Sequence, residues 1–280
     1  MAAPNRTSIL TKAHKVLKKK YSPVAPPPGR GVLESMLYGC ALENAPYQQA
    51  DDAFARLQET YFDWNEVRVT TVSELAEVMR GLPDPKAAAT NLKRCLQNMF
   101  EAEYSFDLEG LVKENLGKAI KKLQRYGASA FVTSYTTQTA LGGHSIPVDS
   151  AALNLLLVLG VITEAEAEKK QAPGLERAIP KSKGVEFGSL LHQLAVDFQA
   201  SPHGTNPRKI IVEIEPAAKE RLPKRASPKK KKKAAKATTK KKTAKKAAKA
   251  TPKKKTTKKK TKAVARKKST TKRLVRKKPR

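Results

Sequence analysis

The last sixty residues of this chain carry almost all of its charge, and no globular core can absorb them. From Arg221 to Arg280 there are 31 Lys or Arg and no Asp or Glu. The same stretch has no aromatic residue and few large aliphatics. It cannot bury enough apolar surface to offset its conformational entropy, so the sequence predicts a disordered tail over 221–280. The whole chain has 57 basic and 25 acidic side chains, a net charge of +32. Setting the tail's 31 aside leaves 26 basic against 25 acidic in residues 1–220, a net +1. A nearly neutral body is joined to a polycation, and the two need separate arguments.

The body, about 205 residues, is ample for one well-buried core. Its apolar residues recur at helical spacing almost throughout. Ile9, Leu10, Ala13, Val16 and Leu17 form one face of a first helix, with Lys12, Lys15, Lys18, Lys19 and Lys20 largely on the other. A docked first helix accounts for this pattern better than a targeting peptide does. Pro23 to Gly29 reads as a stiff exposed linker. Two periodic stretches, Val32 to Asn44 and Tyr47 to Phe62, break at Pro46. Thr71-Val-Ser-Glu74 and Thr163-Glu-Ala-Glu166 have capping-box spacing, and Asp84-Pro85 reads as an N-cap with proline at the first helical position. Glu164, Glu166 and Glu168 suit a helix start on dipole grounds alone.

A further apolar period runs from Leu108 through Leu111, Val112, Ala119, Ile120 and Leu123 to Tyr126. Phe131 to Thr139 is rich in β-branched residues, but nothing around it offers a partner strand, so a helix is predicted. Asp149 or Ser150 caps the helix that follows. Val185, Leu191, Leu194, Ala195 and Phe198 mark a last helix, and Ile211, Val212 and Ile214 read as a short extended piece. The organisation expected is an N-terminal helix and Pro-rich linker over 1–30, a helical domain over 31–204, a connector over 205–220 and the tail over 221–280. The fold class is all-α.

Several function classes drop out. Two cysteines, Cys40 and Cys95, exclude a disulfide scaffold or a four-cysteine metal site within one chain, and fit a reducing compartment. The longest apolar run, Ala151 to Ile162, is interrupted by Asn154 and falls short of the ~20 residues that span a bilayer. His144 and His192 lack ligand-spaced partners, so neither metal nor another cofactor is expected.

In the tail, lysine alternates with Ala, Thr, Ser and Pro, which spreads charge along a polymer. The natural partner is a polyanion of regular charge spacing, above all duplex DNA; RNA competes, and a membrane lacks the anchors it would need. Ser227-Pro-Lys-Lys230 and Thr251-Pro-Lys-Lys254 resemble repeats in linker-histone tails, which implies phosphate or minor-groove contact through Lys229, Lys230, Lys253 and Lys254. Such contacts add affinity and little sequence choice.

The body resembles a family. Leu123-Gln-Arg-Tyr-Gly127-Ala-Ser129-Ala-Phe131, then a helix, then Ser145-Ile-Pro-Val-Asp149, is similar to the helix-hairpin-helix and Gly/Pro…Asp core of endonuclease III-type DNA glycosylases. The resemblance covers roughly residues 30–200 and implies base-excision repair ancestry. It implies that Gly127 and Ser129 stand where two glycines let backbone N–H groups approach a phosphate, with Lys121, Lys122 and Arg125 just before them as DNA contacts. Those cations are also read as the solvated face of a helix. It implies that Phe131 occupies the position of the nucleophilic lysine of bifunctional members, which removes lyase chemistry of that kind. Asp149 matches the catalytic aspartate, yet an N-cap role satisfies it equally well. Ala41 falls near the inserting glutamine, and Ser201 to Pro207 lies where a cysteine cluster often follows.

The function expected is a DNA-binding relative of the glycosylases with altered or lost chemistry, binding duplex DNA largely through its tail. The alternative is an active monofunctional glycosylase using Asp149. A third reading has the body dock another protein, but no residue speaks for a particular one. A cytoplasmic, nucleoid-associated location is expected, or a nuclear one in a eukaryote.

Overall fold

The computed structural model describes residues 6–224, and every structural statement below concerns these residues. Among them the chain is helical, with one isolated bridge between Arg80 and Leu82 and no strand. Two apolar cores lie side by side in one compact body.

The first core is built from α2 (Val32–Leu42), α3 (Tyr47–Thr60), α4 (Trp64–Val69), α5 (Val72–Val78), α6 (Pro85–Glu103), α7 (Leu116–Arg125) and α8 (Ala130–Thr139). The second holds α9 (Ser150–Leu159), α10 (Glu164–Glu168), α11 (Leu175–Ala178), α12 (Lys181–Ala200), α13 (Thr205–Ile214) and α14 (Ala218–Arg221). The first described helix also belongs to the second core, because α1 (Arg6–Lys20) buries Ile9, Leu10, Ala13, Val16 and Leu17 there and packs on α11, α12 and α13. The chain then crosses to the first core. On the way Val24 N–H donates to Ser189 Oγ, and the Gln193 amide donates to the Ser22 carbonyl.

The local signals act as their chemistry dictates. Thr71 and Thr163 form reciprocal capping boxes with Glu74 and Glu166. Asp84 caps α6 through Ala87 N–H ahead of Pro85. The stretch from Phe131 is a helix, capped by Ser129. Cys40 and Cys95 are buried in the first core as free thiols with their sulfurs 3.9 Å apart.

Two expectations fail. The extended piece at Ile211–Ile214 is instead α13, whose Pro207, Ile210, Ile211 and Ile214 recur at three and four and are buried. Burial along that helical face outweighs the β preference of isoleucine and valine. The apolar period from Leu108 to Tyr126 is not continuous. A 3₁₀ turn at Glu109–Lys113 precedes α7, whose cap is the Asn115 side chain, and Val112 is exposed. No described helix is long and apolar enough to cross a membrane. No described group of three or more His, Cys, Asp or Glu is placed to hold a metal.

Candidate functional site

The hairpin between α7 and α8 follows from one glycine. Gly127 has φ +86°, the left-handed conformation that ends helices, and its N–H donates to the Gln124 carbonyl. Ala128 N–H reaches back to the Leu123 carbonyl, completing a Schellman-type ending. Both amides are thereby used inside the protein. A Cβ at Gly127 would stand 2.9 Å from the Asn98 amide and 3.1 Å from Arg94 Nε. The glycine is therefore required by the turn and by α6 alone. Arg94 also donates to the Gly127 carbonyl, at 3.0 Å.

Ser129 accepts from Val132 N–H and so caps α8, while its hydroxyl donates to Glu43 Oε2 at 3.0 Å. A helix N-terminus attracts anions, and beside this one the protein sets its own carboxylate. Burial pushes the Glu43 carboxyl above its ordinary range. The charge of Asp149 adds to that push, while the Ser129 hydroxyl, Lys170 and Arg94 oppose it. Of the cations expected to assist the hairpin, Lys122 is paired with Glu114, whereas Lys121 and Arg125 are exposed and unpaired among the described residues.

Asp149 begins α9 in a different setting. Its Oδ1 accepts from Ala152 N–H at 2.8 Å, the N-cap bond. Its Oδ2 accepts from Asn44 N–H at 3.0 Å and lies 3.2 Å from His192 Nδ1. The side chain is 0% exposed. Burial opposes its charge and is the largest single influence, but the His192 ring and the two amides together hold the carboxyl below the usual range. Asn44 is placed for this by a left-handed φ of 61°, and its side-chain oxygen accepts from Ser150 Oγ and Ala151 N–H.

The state of His192 follows from its neighbours. Nε2 lies 2.8 Å from the Ala45 carbonyl, which can only accept, so Nε2 carries a proton. Nδ1 faces a carboxylate at ion-pair distance, though off ideal hydrogen-bond alignment. The ring is stacked on Phe131 at 5.7 Å and met edge-on by Tyr47 at 5.2 Å. Phe131 is itself 2% exposed.

A cleft of about 630 Å³ opens between these two helix starts. Glu43, Asn44, Asp84, Asn91, Ser129 and Lys170 are among the residues of its wall. Two of these side chains are acidic and one is basic, so the cleft does not draw phosphate by charge. Asp149 belongs to the wall, but its carboxylate is sealed from the space. Ala41, at the position of an inserting side chain, is 1% exposed and cannot reach a duplex.

The structure thus brings Ser129 and Asp149 to one cleft, sets Gly127 against Arg94 and Asn98 of α6, and leaves Lys121 and Arg125 on the outer face of α7. Glu43, Asn44 and His192 were not legible as a group. They come from two places far apart in sequence, the turn after α2 and the middle of α12, and neither an acidic residue in a turn nor a histidine on a helix gives a sign of its spatial partner. Lys229, Lys230, Lys253 and Lys254 lie outside the described residues.

A helical hairpin followed by a helix and a capping aspartate across a cleft defines the helix-hairpin-helix glycosylase class of fold. The particular architecture is that of endonuclease III. A solved structure of endonuclease III, trapped as a covalent intermediate with DNA, superposes with a TM-score of 0.51 and 16% identity, over 77% of this chain and 96% of that one. A thermostable thymine-DNA glycosylase gives 0.46 and 16% over 70% of this chain and 86% of that one. A 3-methyladenine DNA glycosylase from H. pylori, bound to 1,N6-ethenoadenine, gives 0.43 and 18% over 78% and 99%. No family model and no curated protein matches the sequence. The likeness is one of fold.

Proposed function

We propose that this chain is a duplex-DNA-binding protein that keeps the body of a base-excision glycosylase without its excision chemistry. The observation that carries this reading is the state of Asp149. A carboxylate that works on a sugar must face the substrate, and this one is fully buried against two amides and the His192 ring. Phe131 closes the neighbouring wall and offers no nucleophile. The hairpin amides are spent on the α7 ending, so the body grips phosphate weakly. The segment over 225–280, with 29 cations and no acidic residue, supplies most of the affinity and little sequence preference.

The test compares the full chain with one ending at Lys224, using anisotropy of a labelled duplex. The cut falls after Lys224 because Arg221 donates to the Val158 and Leu159 carbonyls and Leu222 is buried. The full chain should lose about 10³–10⁵ in affinity between 50 and 200 mM salt if it makes six to ten phosphate contacts. Equal binding by the two chains would overturn the role of the tail. Competition by single-stranded RNA at equal strength would move the partner from DNA to nucleic acid in general.

The cleft of about 630 Å³ beside Asp149 favours a second reading, an active monofunctional glycosylase. A panel of duplexes carrying damaged bases separates the two. The non-catalytic reading expects no base release. Release that disappears in Asp149→Asn would establish the second.

A further inference from the structure

Helix α1 has six Lys or Arg and no acidic residue in its fifteen positions. Three of the six are neutralised, each by a different element. Arg6 pairs with Glu166 of α10, Lys18 with Glu186 of α12, and Lys20 with Glu213 of α13. Lys12, Lys15 and Lys19 are exposed and have no ion pair among the described residues. Successive helical residues turn by about 100°, so these three fall within an arc of about 60° and form one stripe. Their rises of about 4.5 and 6 Å along the axis are longer than the ~3.4 Å between charges along one strand of a duplex, a difference that the long, flexible lysine side chains can span.

Nothing inside the helix compensates this stripe. Like charges three and four apart weaken a helix by a few tenths of a kcal/mol per pair. Lysines near a helix C-terminus gain from the dipole, but Lys12 and Lys15 lie mid-helix and gain nothing. An anionic bilayer is a poor partner, because the apolar face of α1 is already spent in the second core, with Ile9 and Val16 the most exposed at 9% and 8%.

We propose that Lys12, Lys15 and Lys19 form a second contact with the phosphate backbone of duplex DNA, separate from both the hairpin and the tail. The contact rests on the DNA-binding reading above. It places the second core, and not only the cleft, against the nucleic acid, and it fixes the body in a set orientation while the tail supplies bulk attraction. It is independent of sequence and therefore salt-sensitive.

The experiment uses the full chain. Lys12→Ala, Lys15→Ala and Lys19→Ala are combined, and a charge-matched control combines Lys113→Ala, Lys118→Ala and Lys169→Ala, three exposed lysines elsewhere. Binding to a labelled duplex is followed from 50 to 300 mM salt, with helicity and Tm checked by circular dichroism. The stripe variant should flatten the slope of log K against log salt by about 2 to 3, as expected for three lost phosphate contacts, while the control keeps the wild-type slope. A stripe variant indistinguishable from wild type would refute the stripe and leave the DNA reading standing. Equal flattening by both variants would also refute it, since net charge would then explain the change. Loss of binding to phosphatidylserine vesicles with DNA binding unchanged would assign the stripe to a lipid surface and overturn the proposal. Absence of duplex binding by the wild type would fail the DNA reading itself.

Discussion

Glu43 and Asp149 each bring a carboxylate to the start of a helix, on opposite sides of one cleft. Glu43 meets α8 through a single hydrogen bond from Ser129, is half-buried, and has its carboxyl pushed upward by desolvation. Asp149 is more deeply buried, yet two amides and the His192 ring hold its carboxyl low. Depth of burial therefore does not decide whether a carboxylate stabilises this body; the number of partners supplied to the charge does. The comparison also shows how the two helix starts at the cleft differ. At one helix start the anion-attracting end is met by an internal acid, and at the other the acid is locked into structure.

The largest effect should come from removing the better-satisfied group. Asp149→Ala leaves the buried His192 ring without its carboxylate neighbour and α9 uncapped. Breaking a buried pair in this way costs about 3–5 kcal/mol. Urea unfolding should show that loss, and a cost below about 1 kcal/mol would mean the ion pair is absent. Replacing both Asp149 and His192 with Asn and Phe should recover part of the cost, because no buried ring nitrogen is left without a partner.

The same pair sets an acid limit. The folded pKa of Asp149 is depressed, so its stabilisation is present above the unfolded value of about 3.9 and is lost as pH falls through the folded value. Glu43 runs the other way. Its folded pKa is raised, so its contribution is present below about 4.5 and is lost as pH rises through the folded value. Thermal melts from pH 3 to 7 should show Asp149→Asn flattening the acid limb. An unchanged limb would show that another carboxylate governs acid unfolding.

A middle-sized effect tests the hairpin. Gly127→Ala must hold a Cβ at φ +86° and displace Arg94 or Asn98. About 1–2 kcal/mol should be lost, with duplex affinity unchanged apart from that. A large fall in affinity without loss of stability would mean that this turn touches phosphate after all.

The helices were legible because capping and periodicity are local. Thr71, Thr163 and Asp84 announce helix starts within four residues, and the Leu- and Ala-rich faces announce burial. The all-helical fold class was legible for the same reason. The site's charge balance was not. Ser129 and Glu43 lie 86 positions apart, and His192 and Ala45 lie 147 apart, so no window contains both members of either pair. The isoleucines of α13 misled because β-branching is a weak preference and their burial on α1 is a tertiary fact.

The smallest expected effect sharpens the comparison most. Glu43→Gln keeps an acceptor for the Ser129 hydroxyl and removes a charge that burial disfavours. At pH 7 the variant should be more stable than wild type, at the low end of the about 0.5–2 kcal/mol that stabilising changes commonly yield. Near pH 4 the gain should vanish, because wild-type Glu43 is then largely neutral in both states. The start of α8 would also lose its internal anion, so duplex binding by the chain ending at Lys224 should rise modestly. Stability gained without any rise in binding would confine Glu43 to a structural cost. A rise in binding would mean that the hairpin side of the cleft still meets DNA, with the acid holding it in check.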